Sequence, residues 1–400
     1  MTITIIQYII VTLLGIYTLV TLLFIASLFK KERFGRCIKS NTKPAGVSVV
    51  IPFRNEEHNL TALLHSIADQ QYNGLFEVIF VNDQSDDNGP EIIASYQKNN
   101  ANSAFAIKII DLKDPHNDLT SKQQALDLGV SMAVYPLIAF TDADMILKPN
   151  WIESLAGDQQ KSGANLIFGH TAISNQRKNG IFAALESFQL ELLFCYAYVF
   201  SKLNITGSCM GNNLLVTKEH YMKYGGQEGI GYSIVEDRAL LKLFRKNGLK
   251  TKAQEPFYVT ALTHPSKSKK QFFNQMMRWA AGGLHPGGGL FAAGILLFVQ
   301  NALFLLSIFN ITPNIITVLS GANFLLTWIF LVISLRKNKS TASKLMYPFY
   351  YIFMMTETVI FGAALMFGLK IVWKDRNLQK SEIDRDSHLR VDEAIDPASL

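Results

Sequence analysis

Two aspartates one residue apart, Asp142 and Asp144 in the stretch LIAFTDADM, follow directly on the apolar run Leu137 to Phe140. That run is continuous rather than alternating, the pattern of a strand buried on both faces. Residues i and i+2 of an extended segment point the same way, so the two carboxylates converge on one hard divalent cation, Mg²⁺ or Mn²⁺. A cation held in this way suits a diphosphate, although a D-x-D taken alone is more often an Asx-rich turn. A second acidic pair, Glu236 and Asp237, opens a segment whose Leu240, Leu241, Leu243 and Phe244 form a helical stripe over 236–246. In bland terms these are acids in a first helical turn. Gln275, Arg278 and Trp279 lie at i, i+3 and i+4, one face of a helix over about 268–281. That helix is basic at its start and apolar at Phe272, Phe273, Met276 and Met277, which suits a membrane interface.

The elements that must position these residues alternate. Val47 to Ile51 reads as a strand closed by Pro52, 59–67 as a helix and Phe76 to Val81 as a strand. Helix 90–96, strand 106–110, helix 121–134 and strand 137–141 follow. This alternation implies an α/β domain with a mainly parallel sheet, in which ligands bind beyond the carboxyl ends of the strands. Three of those ends carry Phe53-Arg54-Asn55-Glu56-Glu57, the cluster 82–87 (NDQSDD) and Asp142-Ala143-Asp144, so one sheet edge collects the acids.

Hydrophobic residues make up 49% of the chain, too many for an ordinary soluble enzyme, and the excess lies at the two ends. Ile3 to Phe29 is free of charge, longer than the roughly 20 residues that span a bilayer and too long for a signal-peptide core. Lys30, Lys31, Arg33, Arg36 and Lys39 follow it and place the middle of the chain in the cytoplasm. Leu290–Ile311 and Ile315–Leu335 read as a crossing hairpin, and Met346–Leu369 as a last apolar segment carrying Glu357. Counting crossings would export the tail, which its basic start opposes. Glu357 is a functional-site expectation, because an ionisable group in hydrocarbon is costly; a hydrogen-bonded structural glutamic acid fits equally. The net charge of +6, clustered beside apolar segments, favours an anionic membrane surface and excludes nucleic acid as the partner. Cys37, Cys195 and Cys209 match no disulfide or metal pattern.

VSVVIPFRNEE, VIFVNDQSDD, FTDADM, IVEDRAL and QMMRW, in that order, closely resemble the membrane-bound family 2 glycosyltransferases with a GT-A fold. That group includes cellulose, chitin and hyaluronan synthases and ceramide glucosyltransferase, and the likeness covers about residues 45–285. The resemblance implies that Pro52, Glu56 and Asp83 hold the nucleoside of the donor, a UDP-sugar, with Glu57 left to the helix dipole. Lys122 in SKQQAL would meet the phosphates, a solvated helix-start lysine being the competing account. Asp144 would be the main metal ligand with Asp142 its partner, and His264 a weaker candidate, since many GT-A enzymes use a late histidine. Asp237 falls where the family has its general base, with Glu236 beside it on the acceptor side. Gln275 and Trp279 would border the acceptor and Arg278 the diphosphate.

The acceptor itself is less legible. Phe182 to Leu203 is apolar but interrupted by Glu186 and Glu191, so it reads as an interfacial or core helix. The polar loop 207–213 (GSCMGNN) lies in the family's acceptor region. With so few membrane segments the chain is short for a polymer channel. The expected organisation is a membrane helix (1–29), a basic linker (30–46), a cytosolic GT-A domain (47–265), an interfacial helix (266–285), about three membrane segments (286–369) and a polar tail (370–400). The expected activity is inverting transfer from a nucleotide sugar to a lipid alcohol, with Mg²⁺ or Mn²⁺, in a multi-pass protein of the cell membrane. A processive polysaccharide synthase acting on a glycan acceptor, and a non-catalytic nucleotide-sugar-binding membrane partner, are the alternatives.

Overall fold

In the computed structural model the described residues are 2–30, 44–100, 105–113, 115, 118–174, 180–233, 235–256, 258–283, 289–335, 341–366, 371–373 and 376–378. The elements begin with α1 (Thr2–Phe29), β1 (Val47–Phe53), α2 (Glu57–Ala68), β2 (Phe76–Asn82), α3 (Gly89–Asn99), β3 (Ala106–Asp111), α4 (Ser121–Ser131) and β4 (Leu137–Phe140). Next come β5 (Met145–Leu147), α5 (Trp151–Ser162), β6 (Leu166–Phe168), β7 (His170–Ile173), α6 (Gly180–Lys202), β8 (Leu214–Thr217), α7 (Lys218–Lys223) and α8 (Gly226–Ile230). The chain continues through α9 (Glu236–Lys246), β9 (Thr251–Ala253), β10 (Val259–Thr263), α10 (Lys269–Gly283), α11 (Gly289–Ile308), α12 (Asn314–Ser334) and α13 (Thr341–Met366). It ends in a short ribbon, β11 (Ile371–Trp373) and β12 (Arg376–Leu378). Two compact units result: 32–175 with 196–264, and 1–31 with 176–195 and 265–400.

The first unit is built on a seven-stranded sheet in the order β3-β2-β1-β4-β8-β6-β9. β1 to β4 run parallel, as the alternation of strands and helices implies, and β8 reverses against both β4 and β6. The strand order steps outward from β1 through β2 to β3 and then returns to β4 on the other side of β1. The carboxyl ends of β1 and β4 therefore flank a topological switch point, the place where open α/β sheets bind ligands. β1 runs on to Phe53 rather than stopping at Pro52. Its pairing with β4 ends at Val50, so the missing N–H of Pro52 costs no bond on that side. A second sheet, β5-β10-β7, has no counterpart in the periodicity of the sequence.

Val49, Ile51, Phe80 and Leu215 fill the core from the sheet, and Leu60, Leu63 and Ile67 from α2 meet them. Each such side chain, fully buried, contributes about 1.5–3 kcal/mol. Trp151 is buried with them, its Nε1–H donating to Asn213 Oδ1 at 2.9 Å. α4 lies close on β1 over Gly129, where a Cβ would overlap Val50 Cγ1.

The second unit is helical. Among the described residues, Ile5–Phe29, Gly180–Lys202 and Asn314–Ser334 are long and apolar enough to cross a membrane, and Ala292–Ile308 is a shorter apolar helix. In Gly180–Lys202 the most apolar stretch is 61% buried within the protein, with Glu186 and Glu191 buried too, as befits a core helix. Glu186 accepts the Ser266 N–H at 2.9 Å and its hydroxyl at 3.0 Å, just ahead of α10. Asn323 on α12 ties three helices together. Its amide donates to Leu14 O on α1 and to Gln300 Oε1 on α11, both at 3.1 Å, and accepts from Thr18 Oγ1 at 2.6 Å. Glu357 on α13 accepts from Gln189 Nε2 at 2.6 Å. The basic residues 31–39, on which the orientation rests in the sequence, and most of the tail lie outside the described residues.

Candidate active site

The loops that follow β1 and β2 are stitched together, because the register pairs Phe53 with Asn82 and brings the next residues side by side. Asp83 N–H donates to Phe53 O at 2.8 Å, Asp86 N–H to Asn55 Oδ1 at 2.8 Å and Glu57 N–H to Asp87 Oδ2 at 2.8 Å. Glu57, in the first turn of α2, accepts from the Asn88 N–H at 3.1 Å and so also closes the start of α3. Glu56 accepts from Asn59 Nδ2 at 2.6 Å. Asp83 takes the Ser121 hydroxyl at 2.7 Å on Oδ2, while its Oδ1 is buried without a partner. Arg54 Nη1 is also buried and unpartnered. An acceptor on one loop and a donor on the other, both desolvated and unpaired, are costly to fold in isolation. They fit the edge of a base or ribose, and Arg54 is a residue that the sequence analysis did not single out.

α4 begins with a capping box: Thr120 Oγ1 accepts the Gln123 N–H at 3.2 Å, and Gln123 Oε1 accepts the Thr120 N–H at 3.1 Å. Lys122 thus stands in the first turn, where the helix dipole disfavours a cation. Its ammonium lies 3.0 Å from Asp142 Oδ1 and 2.8 Å from Glu236 Oε1, while the side chain as a whole remains 41% exposed. Burial alone would lower the Lys122 pKa, and the two carboxylates outweigh it, holding the group well above the ordinary lysine range. Burial alternates residue by residue from Thr141 to Leu147, with Thr141, Ala143 and Met145 inward. Asp142 and Asp144 therefore share the outward face although a turn forms at Ala143-Asp144.

Asp237, in the first turn of α9, accepts the Gly211 N–H at 2.9 Å on Oδ2 and the Arg238 N–H at 2.7 Å on Oδ1. A Cβ at position 211 would come within 2.9 Å of Asp237 Cβ, so only glycine allows this approach. Burial, then the charge of Glu236, push the Asp237 carboxyl up to about 6. Lys122, Asp142, Gly211, Glu236 and Asp237 line one small cavity of about 10 Å³, room for about one water.

His264 is exposed and follows β10. Thr263 pairs with Met145 in the antiparallel β5–β10 ladder, so His264 is level with Asp144 across it. Among the described residues no three of His, Cys, Asp and Glu gather closely enough to hold a metal by themselves. The donor set still fits Mg²⁺ or Mn²⁺, which is commonly bound by one or two carboxylates with substrate phosphates and water completing the shell. Gln275, Arg278 and Trp279 fall within α10, and they belong to the helical unit rather than the α/β unit. Gln275 Oε1 accepts from Ser266 Oγ at 3.5 Å; the side chains of Arg278 and Trp279 lie outside the described residues.

The sequence profile of the family described as Glycosyl transferase family 21 matches residues 8–383. The chain belongs to that family. It is thus a glycosyltransferase, and the resemblance read from its five motifs holds. The 4,4'-diaponeurosporenoate glycosyltransferase of Staphylococcus aureus (strain USA300) is 27% identical over 269 residues, covering 65% of this chain and 68% of the relative. The protein from strain N315 is 28% identical over 254 residues, covering 62% and 64%. Among solved structures, the mannosyltransferase PcManGT from Pyrobaculum calidifontis, in complex with GDP-Man and Mn²⁺, superposes with a TM-score of 0.56 at 13% identity. The match covers 91% of this chain and 99% of that one and supports the GT-A-like fold.

Proposed function

We propose that the protein is an inverting glycosyltransferase that moves one sugar from a nucleotide sugar to a lipid acceptor at the cytoplasmic face of the cell membrane. The observation that carries this reading is the cluster of Lys122, Asp142, Glu236 and Asp237 at the switch-point edge of the sheet. Family membership supports sugar transfer, and the long apolar helices support a lipid acceptor and a multi-pass chain.

In this reading Arg54, Pro52, Glu56 and Asp83 hold the nucleoside, uridine by the sequence resemblance, and Lys122 offers its charge to the diphosphate. Mg²⁺ or Mn²⁺, held by Asp144 and Asp142 with His264 the candidate third ligand, supplies Lewis-acid charge when bound. Arg278 would add a bidentate contact to the phosphates, and Gln275 and Trp279 would border the acceptor. Asp237 takes the proton of the acceptor hydroxyl; a carboxylate that titrates near 6 is ionised at neutral pH and is a stronger base than an ordinary aspartate. Two backbone N–H groups, one donating to each of its oxygens, fix the orientation of that carboxylate. Attack in line from the face opposite the diphosphate converts an α-linked donor into a β-glycoside.

A second reading comes from the name of the staphylococcal relatives, which gives a carboxylate acceptor. A carboxylate arrives ionised near neutral pH and gives no proton to a base. The test is Asp237→Asn, with nucleotide affinity, transfer and the alkali lability of the product measured together. Lost transfer with nucleotide affinity retained, and an alkali-stable β-glycoside from the parent chain, is the expected result. Retained transfer to an alkali-labile ester would replace the alcohol by a carboxylate, and retained transfer to an alkali-stable glycoside would remove Asp237 as the base.

A further inference from the structure

Gln123, the third residue of α4, closes the capping box with Thr120, a task that a glutamine in contact with solvent performs equally well. Here its side chain is fully buried and also holds a segment far along the chain. Its Nε2 donates to Gly231 O at 2.8 Å and to Gln227 Oε1 at 3.3 Å, and its Oε1 accepts the Ser233 N–H at 3.1 Å. Asp127 lies four residues on, on the same face of α4. It accepts the Gln227 and Glu228 N–H groups at 3.0 and 3.1 Å and the Tyr221 hydroxyl at 2.6 Å. α4 therefore grips the chain through α8 and up to Ser233, three residues before α9.

That grip bears on the start of α9, which has no side-chain cap of its own, because the residue at its N-cap is Val235. The Val235 N–H donates to Ser233 Oγ at 3.3 Å, and Val235 O accepts the Ala239 N–H at 3.1 Å. Ser233, 1% exposed, is thus joined to Gln123 through its backbone and to the N-cap of α9 through its hydroxyl. Glu236 and Asp237 come next. Gly231 has φ 69° and ψ −168°, a combination open in practice to glycine alone, and so presents its carbonyl to Gln123. Gln227, bonded to the same amide, lines the small cavity with Lys122, Glu236 and Asp237. Capping α4 requires none of these bonds.

We infer that Gln123 is a positioning residue for Asp237: through Ser233 it sets where α9 begins and so where the carboxylate stands. The inference rests on Asp237 being the base. The test compares Gln123→Met with Thr120→Ala, which breaks the capping box but spares the bonds to Gly231 and Ser233. The full chain, in nanodiscs with a lipid extract, Mn²⁺ and labelled UDP- and GDP-sugars, is assayed for transfer rate at saturating donor. Affinity for UDP and GDP, melting temperature and amide exchange at the start of α9 are measured beside it. Gln123→Met should lower the rate by about 10- to 100-fold, with nucleotide affinity within twofold and faster exchange at Ser233 and Val235. Thr120→Ala should melt earlier and keep its rate within twofold. Ser233→Ala leaves α4 untouched and should lower the rate by about 3- to 10-fold; it decides the matter if Gln123→Met does not fold. Equal rate losses in Gln123→Met and Thr120→Ala, an unchanged rate in Ser233→Ala, or unchanged exchange at the start of α9 would overturn the role. Asp237→Asn, run in parallel, tells the two failures apart. Transfer retained in that variant removes the base itself, whereas transfer lost there but kept in Gln123→Met removes only Gln123.

Discussion

The ammonium of Lys122 lies 3.0 Å from the carboxylate of Asp142, so the first acid of the D-x-D pair is neutralised by a lysine from a helix that precedes its strand. The same ammonium reaches Glu236 at 2.8 Å. One cation thus joins the acids proposed for the donor side to the acidic pair proposed for the acceptor side.

Replacing Lys122 by methionine separates these roles. The loss of one charge-assisted contact to phosphate should weaken nucleoside-diphosphate affinity by about 10- to 100-fold. The melting temperature without divalent cation should fall, because Asp142 and Glu236 are left facing each other, and Mn²⁺ should restore more of it than in the parent chain. Calorimetric titration and melting curves check this; unchanged affinity would return Lys122 to a structural ion pair.

Transfer should depend on pH through Asp237. With its carboxyl pushed up to about 6 by burial and by Glu236, the ionised base is lost as pH falls below about 6, and the rate should fall tenfold per pH unit there. The stability sign is opposite. A carboxyl whose pKa is raised on folding contributes most below its ordinary value and loses that contribution as pH rises through about 6, so the working base is held at a cost to stability. Glu236→Gln removes a like charge and should move the acid limb to lower pH. A limb that stays in place would show that another group sets it.

Gly211→Ala tests the support of that base. The added Cβ would stand 2.9 Å from Asp237 Cβ and 3.1 Å from its Oδ2, so the carboxylate must move. A displacement of even part of an ångström should lower kcat by about 10- to 100-fold while nucleotide affinity stays within twofold. Equal losses in both would point to a general folding defect.

In the helical unit, Asn323→Leu removes the amide that bonds Leu14 O, Gln300 and Thr18. At about 0.6 kcal/mol for each interhelical bond, the loss is about 2 kcal/mol. It should appear as a lower midpoint for unfolding in detergent. A midpoint within error of the parent would mean that the network sets helix pairing without adding stability.

What the sequence disclosed follows from where periodicity is strong. The continuous apolar runs at Val47, Phe76 and Leu137 marked the central strands, and the stripe of Leu240, Leu241 and Phe244 marked α9 with its observed ends. The helix expected over 121–134 stops at Ser131, because the chain must turn into β4. The three-residue strands β5, β6 and β9 are too short to carry a period, and the reversal of β8 rests on pairing partners distant in sequence. Within the site, residue types pointed to Asp142, Asp144, Glu236 and Asp237. Spacing alone could not reveal that Lys122 bridges two of them, that Arg54 holds an unmet buried donor, or that Gly211 is the neighbour that admits Asp237. Each of these depends on residues far apart in sequence that the fold brings side by side. Asn323 was silent because one polar residue in an apolar run gives no sign of the face on which it lies.

The most direct test of the account is transfer itself. The full chain, in nanodiscs with a lipid extract and Mn²⁺, is offered radiolabelled UDP-glucose, UDP-galactose, UDP-N-acetylglucosamine and GDP-mannose in turn, beside its Asp237→Asn variant. The account predicts that one donor labels a small organic-soluble product with the parent chain and that the variant, although it binds the same nucleotide, leaves that product unlabelled. Label in a high-mass polymer, or no label from any donor with nucleotide binding intact, would contradict it.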